Sequence, residues 1–92
     1  MFKKITVIGS GLMGSAIAAH FTNAGCEVML LDIINPKEKN RNFYADNSIK
    51  KLLKLKPSPL TLNSNIKLIK SGNIEDNLTE INSSDWVIEA II

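Results

Sequence analysis

The chain has 92 residues, enough for one small domain, and its 45% hydrophobic and 22% charged residues are typical of a soluble globular protein. A net charge of +2 is too small to indicate nucleic-acid binding. The apolar run after the N-terminal lysines is too short for a signal peptide, and none reaches membrane-spanning length. The single cysteine excludes a disulfide framework within the chain, so we expect the reducing cytosol.

The first half of the chain alternates between predicted strands and helices. Residues 3–9 are apolar and β-branched with little alternation, which is typical of a strand buried on both faces. A helix is predicted over 12–24, and "EVMLLD" at 27–32 is a second buried strand. A second helix is predicted over 41–55, where the following "KPSP" ends it. Its predicted apolar stripe is Ala45, Ile49, Leu52 and Leu53.

The second half gives weaker signals. "IKLI" at 66–69 is predicted as a short third strand, 71–73 as a turn and 74–81 as a helical turn. "DWVIEAII" at 85–92 is predicted as a fourth strand. Because strands alternate with helices, we expect an α/β fold with a parallel sheet and right-handed crossovers.

Three glycines follow the first predicted strand at G-x-G-x-x-G spacing, within "VIGSGLMGSAIAAHF". Gly9 would allow a tight turn, Gly11 would let the backbone approach a pyrophosphate, and Gly14 would let the helix pack close to the strand. The N–H groups at the start of the helix would then face the phosphates. The motif is weak alone, but a strand before it and a helix after it indicate a dinucleotide loop.

An acidic residue ends the second predicted strand, as the dinucleotide fingerprint requires. Asp32 follows Gly14 at about the expected separation, and its carboxylate can accept the hydroxyls of an adenosine ribose. It would repel a 2′-phosphate, and no arginine follows it directly, so the pattern favours NAD over NADP. Two alternatives stay open on these residues alone: FAD, and a glycine turn in a sheet that binds no nucleotide.

The whole chain resembles one family. "VIGSGLMGSAIAAHFTNAG", "LLDI", "LLKLKPSPLT", "SGNIEDNL" and "DWVIEAII" are similar to the NAD-binding domain of 3-hydroxyacyl-CoA dehydrogenases. The later stretches disfavour FAD and resemble the long bacterial form, in which an enoyl-CoA hydratase-like domain follows. The loop after the second strand is shorter than that form usually has.

The resemblance implies oxidation of L-3-hydroxyacyl-CoA to 3-ketoacyl-CoA in fatty-acid β-oxidation. It places the catalytic histidine, its orienting glutamate and a cofactor-contacting glutamate beyond residue 92, so no catalytic residue is assigned here and we do not expect the chain to catalyse alone. It places Glu89 upstream of that cofactor-contacting position. The cofactor-binding residues that carry over are Gly9, Gly11, Leu12, Met13, Gly14, Asp32, Ala90 and Ile91.

The resemblance also implies a coenzyme A contact at Ser48 in the second helix. The lysines beside it could meet the coenzyme's phosphates, although a solvated helix face is the commoner role for lysines. These lysines are Lys50, Lys51 and Lys54.

Three other residues invite a chemical role that the pattern does not support. His20, the sole histidine, lies two helical turns from the glycine loop, and we expect it to pack or face solvent. Cys26 has no base or second cysteine near it in the sequence, and Trp86 begins a strand, so both are predicted to be structural. The sequence shows no metal-ligand cluster.

Residues 1–92 are therefore predicted to be the N-terminal part of a Rossmann-type domain, with strand order 3-2-1-4 and its second half missing. The apolar fourth strand would be an unprotected edge, which predicts marginal stability, self-association or pairing with a partner chain. Three hypotheses remain: part of a dehydrogenase, a stand-alone NAD-binding module, and a structural subunit completed by a second polypeptide.

Overall fold

The computed structural model describes residues 3–55, 60 and 63–91. The elements, in chain order, are β1 (Lys4–Ile8), α1 (Leu12–Asn23), β2 (Glu27–Asp32), α2 (Phe43–Lys54), a first 3₁₀ helix (Asn63–Leu68), β3 (Ile69–Asn73), α3 (Ile74–Asn77), a second 3₁₀ helix (Leu78–Ser83) and β4 (Trp86–Glu89). None of the helices in the described ranges combines the length and apolar character needed to span a membrane.

The four strands form one parallel sheet in the order β3-β2-β1-β4, which confirms the predicted α/β Rossmann-type order. Because all strands run the same way, their carboxyl ends meet at one side of the sheet, called here the carboxyl edge. Ile8 pairs with Leu31 on one side and with Glu89 on the other, and Asp32 pairs with Asn73. The opposite side, where the strands begin, is the amino edge.

The core lies between the sheet and the two long helices. Ile5, Val7 and Leu30 are completely buried, and Ala18 of α1 and Leu52 of α2 pack against the same cluster. Burying these apolar side chains supplies the main driving force for folding. The inner strands β1 and β2 are covered on both faces, as their unbroken apolar runs predicted.

The third strand is where the sequence interpretation was wrong. Residues 66–68, predicted as strand, lie in the first 3₁₀ helix, and β3 occupies Ile69–Asn73, which includes the predicted turn at 71–73. Gly72 allows close packing inside this strand, because a Cβ there would stand 2.7 Å from side-chain atoms of Leu31 and Asn77, which would have to shift. The turn-forming residues therefore serve close packing and the start of α3.

Smaller corrections concern helix and strand limits. α1 ends one residue earlier than predicted, and α2 begins two residues later and ends one residue earlier. Leu53, assigned to the apolar stripe of α2, is 47% exposed, since it lies one helical step away from buried Leu52. β4 is also shorter than the predicted 85–92, and residue 92 lies outside the described residues.

Candidate functional site

The first glycine turns the chain at the carboxyl edge, between β2 and β4. Gly9 has a φ of +106°, a left-handed conformation that favours glycine, and its N–H donates to the Leu31 carbonyl at 2.7 Å. A Cβ at this position would stand 2.9 Å from the carbonyl carbon of Ala90. Both the positive φ and the backbone of Ala90, just after β4, therefore require glycine here.

The third glycine lets α1 pack on this turn. Gly14 is buried in the first turn of α1, and a Cβ there would overlap the carbonyl oxygen of Gly9. Ala90, which directly follows β4, lies on the same side, with its Cβ 3.6 Å from that position. The sequence role assigned to Gly14, close approach of helix and strand, agrees with this geometry.

No conformation or contact within the described residues requires glycine at the middle position of the motif, Gly11. Gly11 has a φ of −64°, which any residue can adopt, and a Cβ there would meet nothing within 4 Å. The first hydrogen bond of α1 runs from the Ser15 N–H to the Gly11 carbonyl, so the preceding N–H groups of the helix have no intrahelical acceptor. The missing side chain and these donors fit a pyrophosphate at the helix N-terminus.

Asp32 is held by the glycine loop itself. Its Oδ2 accepts hydrogen bonds from both the N–H and the Oγ of Ser10, the former at 2.8 Å. Its Oδ1 accepts the N–H of Ile33 at 2.7 Å. A carboxylate offers about four acceptor directions, so one direction on Oδ1 stays available to a ligand.

A cleft of about 250 Å³ brings together seven of the eight predicted cofactor residues. The eighth, Gly14, lies buried beneath the loop. The rim is apolar, because Leu12 is 85% exposed and Met13 and Ile91 are more than half exposed. The residues that line this cleft, called the first cleft, are Gly9, Gly11, Leu12, Met13, Asp32, Ala90 and Ile91.

A second cleft adjoins the first across Ser10 and Gly11, on the α2 side. Two connected hollows of about 200 and 300 Å³ share Ser10, Gly11, Ser48 and Lys51. The Ser48 hydroxyl donates to the Ser10 carbonyl, and Lys51 supplies a cation nearby. The structure thus places Ser48 and Lys51 at one cleft, whereas Lys50 and Lys54 are exposed and do not line it.

The remaining candidate residues lie away from both clefts. His20 is exposed on α1 with its ring 5.6 Å from that of Phe21, whose other neighbour is Trp86 at 5.8 Å. Cys26 is buried in the core cluster. Trp86, predicted to pack, does contact Phe21 but is 48% exposed. Within residues 3–55, 60 and 63–91 no group of three His, Cys, Asp or Glu side chains could hold a metal ion.

Sequence reasoning missed the role of Ser10. It lies between two motif glycines and is 2% exposed, with its N–H, hydroxyl and carbonyl all hydrogen-bonded. The only hint in the sequence was a hydroxyl residue at the first x position of the G-x-G-x-x-G motif.

Comparison with known proteins agrees with this geometry. Residues 4–92 match the family described as 3-hydroxyacyl-CoA dehydrogenase, NAD binding domain. The chain belongs to this family. Its cofactor is accordingly NAD, and the glycine loop and Asp32 lie where that fold binds a dinucleotide.

Relatives of this dehydrogenase family domain extend over nearly the whole chain. A probable 3-hydroxyacyl-CoA dehydrogenase of Deinococcus radiodurans is 48% identical over 90 residues, which are 98% of this chain and 26% of that protein. One of Bacillus subtilis is 40% identical over 104 positions, 98% of this chain and 13% of that protein. Since 104 positions exceed the chain's 92 residues, the B. subtilis protein carries additional residues within the matched region. The chain therefore spans about a quarter or less of the relatives it matches.

Solved structures share the fold. A diketoreductase matches with a TM-score of 0.70 at 23% identity, over 98% of this chain and 32% of that one. An (S)-3-hydroxybutyryl-CoA dehydrogenase of Ralstonia eutropha matches with a TM-score of 0.60 at 24% identity, over all of this chain and 32% of that one. At such identities the likeness concerns the fold.

Proposed function

We propose that the chain is the NAD-binding part of an enzyme that oxidises L-3-hydroxyacyl-CoA to 3-ketoacyl-CoA in fatty-acid β-oxidation. The observation that carries this proposal is the pair of clefts that meet at Gly11, one suited to a dinucleotide and the other lined by Ser48 and Lys51. A protein named as the trifunctional enzyme of a fatty acid oxidation complex in Rickettsia prowazekii is 42% identical over 90 residues, 98% of this chain and 12% of that protein. That name supports the pathway.

In the first cleft, each residue would take one part of NAD. The N–H groups of Leu12, Met13 and Gly14 would hold the pyrophosphate, which Gly11 lets approach the backbone. Asp32 would accept a ribose hydroxyl through its remaining Oδ1 direction, while Ser10 holds Oδ2. Ala90 and Ile91 would form the apolar wall on the β4 side.

In the second cleft, the substrate's coenzyme A would lie against α2. Lys51 would attract its phosphates, whereas Ser48 would accept a hydrogen bond from the ligand, because its own proton goes to the Ser10 carbonyl. The lysine contact is worth little if the site stays wet, since exposed ion pairs contribute about 1 kcal/mol or less.

The proton transfer and hydride transfer would need a histidine–glutamate pair, and residues 3–55, 60 and 63–91 bring none to the clefts. His20 lies on α1 beside Phe21 and lines neither cleft. We therefore propose that the catalytic histidine and glutamate come from sequence outside these residues, in the same protein or in a partner. The lone buried cysteine is consistent with a reducing compartment such as the cytosol.

β4 offers a place where such a polypeptide could join. Its inner side pairs with β1, and within the described residues no strand covers its outer side. Exposed strand edges readily pair with further strands. Added strands would continue the parallel sheet beside the first cleft.

The test is a complementation assay. The chain is mixed with the part of the D. radiodurans relative that follows its matched region, and NADH formation is followed with 3-hydroxybutyryl-CoA. We expect turnover only when both polypeptides are present. Turnover by the chain alone would contradict the assignment of the catalytic pair. NAD binding without turnover in the mixture would favour a stand-alone binding module.

A further inference from the structure

Ser10 is the meeting point of hydrogen bonds from three parts of the fold. Its carbonyl accepts the hydroxyl of Ser15 from α1, at 2.9 Å, and that of Ser48 from α2. Its N–H and hydroxyl both donate to Asp32 at the end of β2. Ser48, 38 positions away in the sequence, is thus linked through Ser10 to the Asp32 carboxylate.

The loop needs such support because of its composition. Ser10 stands between Gly9 and Gly11, and glycines leave a backbone with many accessible conformations. Of the backbone bonds in this loop, Gly9 N–H to the Leu31 carbonyl fixes its start and Ser15 N–H to the Gly11 carbonyl begins α1. Between these two bonds, the hydroxyls of Ser15 and Ser48 hold the Ser10 carbonyl, and Asp32 accepts the Ser10 N–H.

We propose that Ser48 and Ser10 are positioning residues for the ribose end of NAD. Ser48, on α2, holds the Ser10 carbonyl in place, and the N–H and hydroxyl of Ser10 hold the Asp32 carboxylate. This role rests on the NAD site and is separate from any contact of Ser48 with coenzyme A. Neither serine needs to touch the nicotinamide.

Two consequences follow for binding. Losing one orienting hydrogen bond should cost about 1 kcal/mol, which corresponds to a three- to tenfold weaker affinity for NAD. A less firmly held Asp32 also repels a 2′-phosphate less effectively, so the preference for NAD over NADP should narrow. General loss of stability would not change that preference.

The experiment is calorimetric titration of the full chain with NAD and with NADP. Ser48→Ala and Ser10→Ala should each weaken NAD binding about three- to tenfold and reduce the ratio of the two affinities. Ser48→Thr keeps the hydroxyl, so its NAD affinity and its preference for NAD over NADP should equal those of wild type. Ser64→Ala, an exposed serine in the first 3₁₀ helix near the amino edge, is the matched control and should equal wild type. Circular dichroism checks folding.

Alanine is a strong helix former, so Ser48→Ala in partly exposed α2 should fold, and Ser10→Ala decides the matter if it does not. Wild-type affinity and preference in both alanine variants would overturn the proposal while leaving the NAD site intact. An equal loss of NAD and NADP affinity would also overturn it. If the wild-type chain binds neither dinucleotide, the NAD site itself is refuted, and the positioning role with it.

Discussion

The polar groups at the two edges of the sheet have different roles. At the amino edge, Lys4 Nζ lies 2.6 Å from Glu80, and Asp85 accepts the N–H groups of Lys3 and Lys4 at 2.8 and 2.9 Å. These contacts tie β4 and the second 3₁₀ helix to β1. Lys4, Glu80 and Asp85 find their partners within the protein, so these three groups serve the fold.

The carboxyl edge leaves polar capacity for a ligand. The first N–H groups of α1 have no intrahelical acceptor, a Cβ on Gly11 would meet no protein atom within 4 Å, and Asp32 lines the first cleft with one acceptor direction left on Oδ1. Leu12 and Met13, exposed in the same place, add apolar surface. A binding site can thus be recognised by hydrogen-bonding groups that the fold itself does not use. Substitutions at either edge test this difference between the two edges.

The largest expected effect is on stability, where substitutions of Gly11 and Gly14, three residues apart, should behave differently. Gly14→Ala places a methyl group against the Gly9 carbonyl oxygen, and we expect it to lower the free energy of unfolding by about 3 kcal/mol. Gly11→Ala meets no protein atom, so we expect unchanged or slightly raised stability but a loss of NAD affinity. Urea unfolding and NAD titration measure the two. Equal destabilisation by both would contradict the separate roles.

The next effect concerns the ribose. Asp32→Ala should weaken NAD binding at least about tenfold, since a hydrogen bond to a charged group contributes about 1.5–3 kcal/mol. It should also reduce the preference for NAD over NADP. Asp32→Asn, which keeps the shape of the side chain without its charge, should have the same two effects. Parallel titrations with both dinucleotides check this. Unchanged preference in both variants would remove Asp32 from the ribose site.

At the amino edge, removing a charge should affect stability and spare the ligand. The N–H groups of Lys3 and Lys4 hold the pKa of Asp85 below its usual value, so the ionised form is favoured in the folded state. Asp85→Asn should lower the melting temperature by a few degrees. NAD affinity should stay at the wild-type value. A changed NAD affinity in a variant that still folds would contradict the separate roles of the two edges.

The smallest effect is a response to acid near the end of β3. Arg41 forms two hydrogen bonds to Asp76, at 2.7 and 2.9 Å, and with Asn73 holds the pKa of that carboxyl at about 2. The folded state favours the ionised form, so this stabilisation is present above the ordinary carboxyl pKa and is lost as pH falls from about 4 towards 2. The pair is exposed, so its contribution is small and salt-sensitive.

Melting temperatures measured from pH 5 to pH 2 test this. Asp76→Asn should flatten the decline relative to wild type, and Arg41→Lys should flatten it partly, because lysine cannot make the paired contact. A decline as steep in Asp76→Asn as in wild type would assign the acid sensitivity to other groups.

The first half of the fold could be predicted well because its signals agree. The apolar runs of β1 and β2, the glycine loop and the helix after it all follow from local pattern, and β2 has the predicted limits. The grouping of seven cofactor residues in one cleft follows from that order, since parallel strands bring distant carboxyl ends together. Their contacts with NAD remain predictions.

The second half could not be predicted as well, because long-range packing decides it. Ser71, Gly72 and Asn73 are typical turn residues, but β2 pairs with them and the Asn73 side chain caps α3. The Ser48–Ser10–Asp32 link was equally hidden, since it joins residues far apart in sequence through side-chain hydrogen bonds. Such contacts have no local periodicity.

One measurement tests the central claim directly, which is that the carboxyl edge binds NAD through the glycine loop and Asp32. Wild-type chain is titrated with NAD and with NADP in a calorimeter under identical conditions. We predict NAD binding with a Kd below about 1 mM and clearly weaker NADP binding. Binding of both weaker than about 1 mM, or a preference for NADP, would contradict the account.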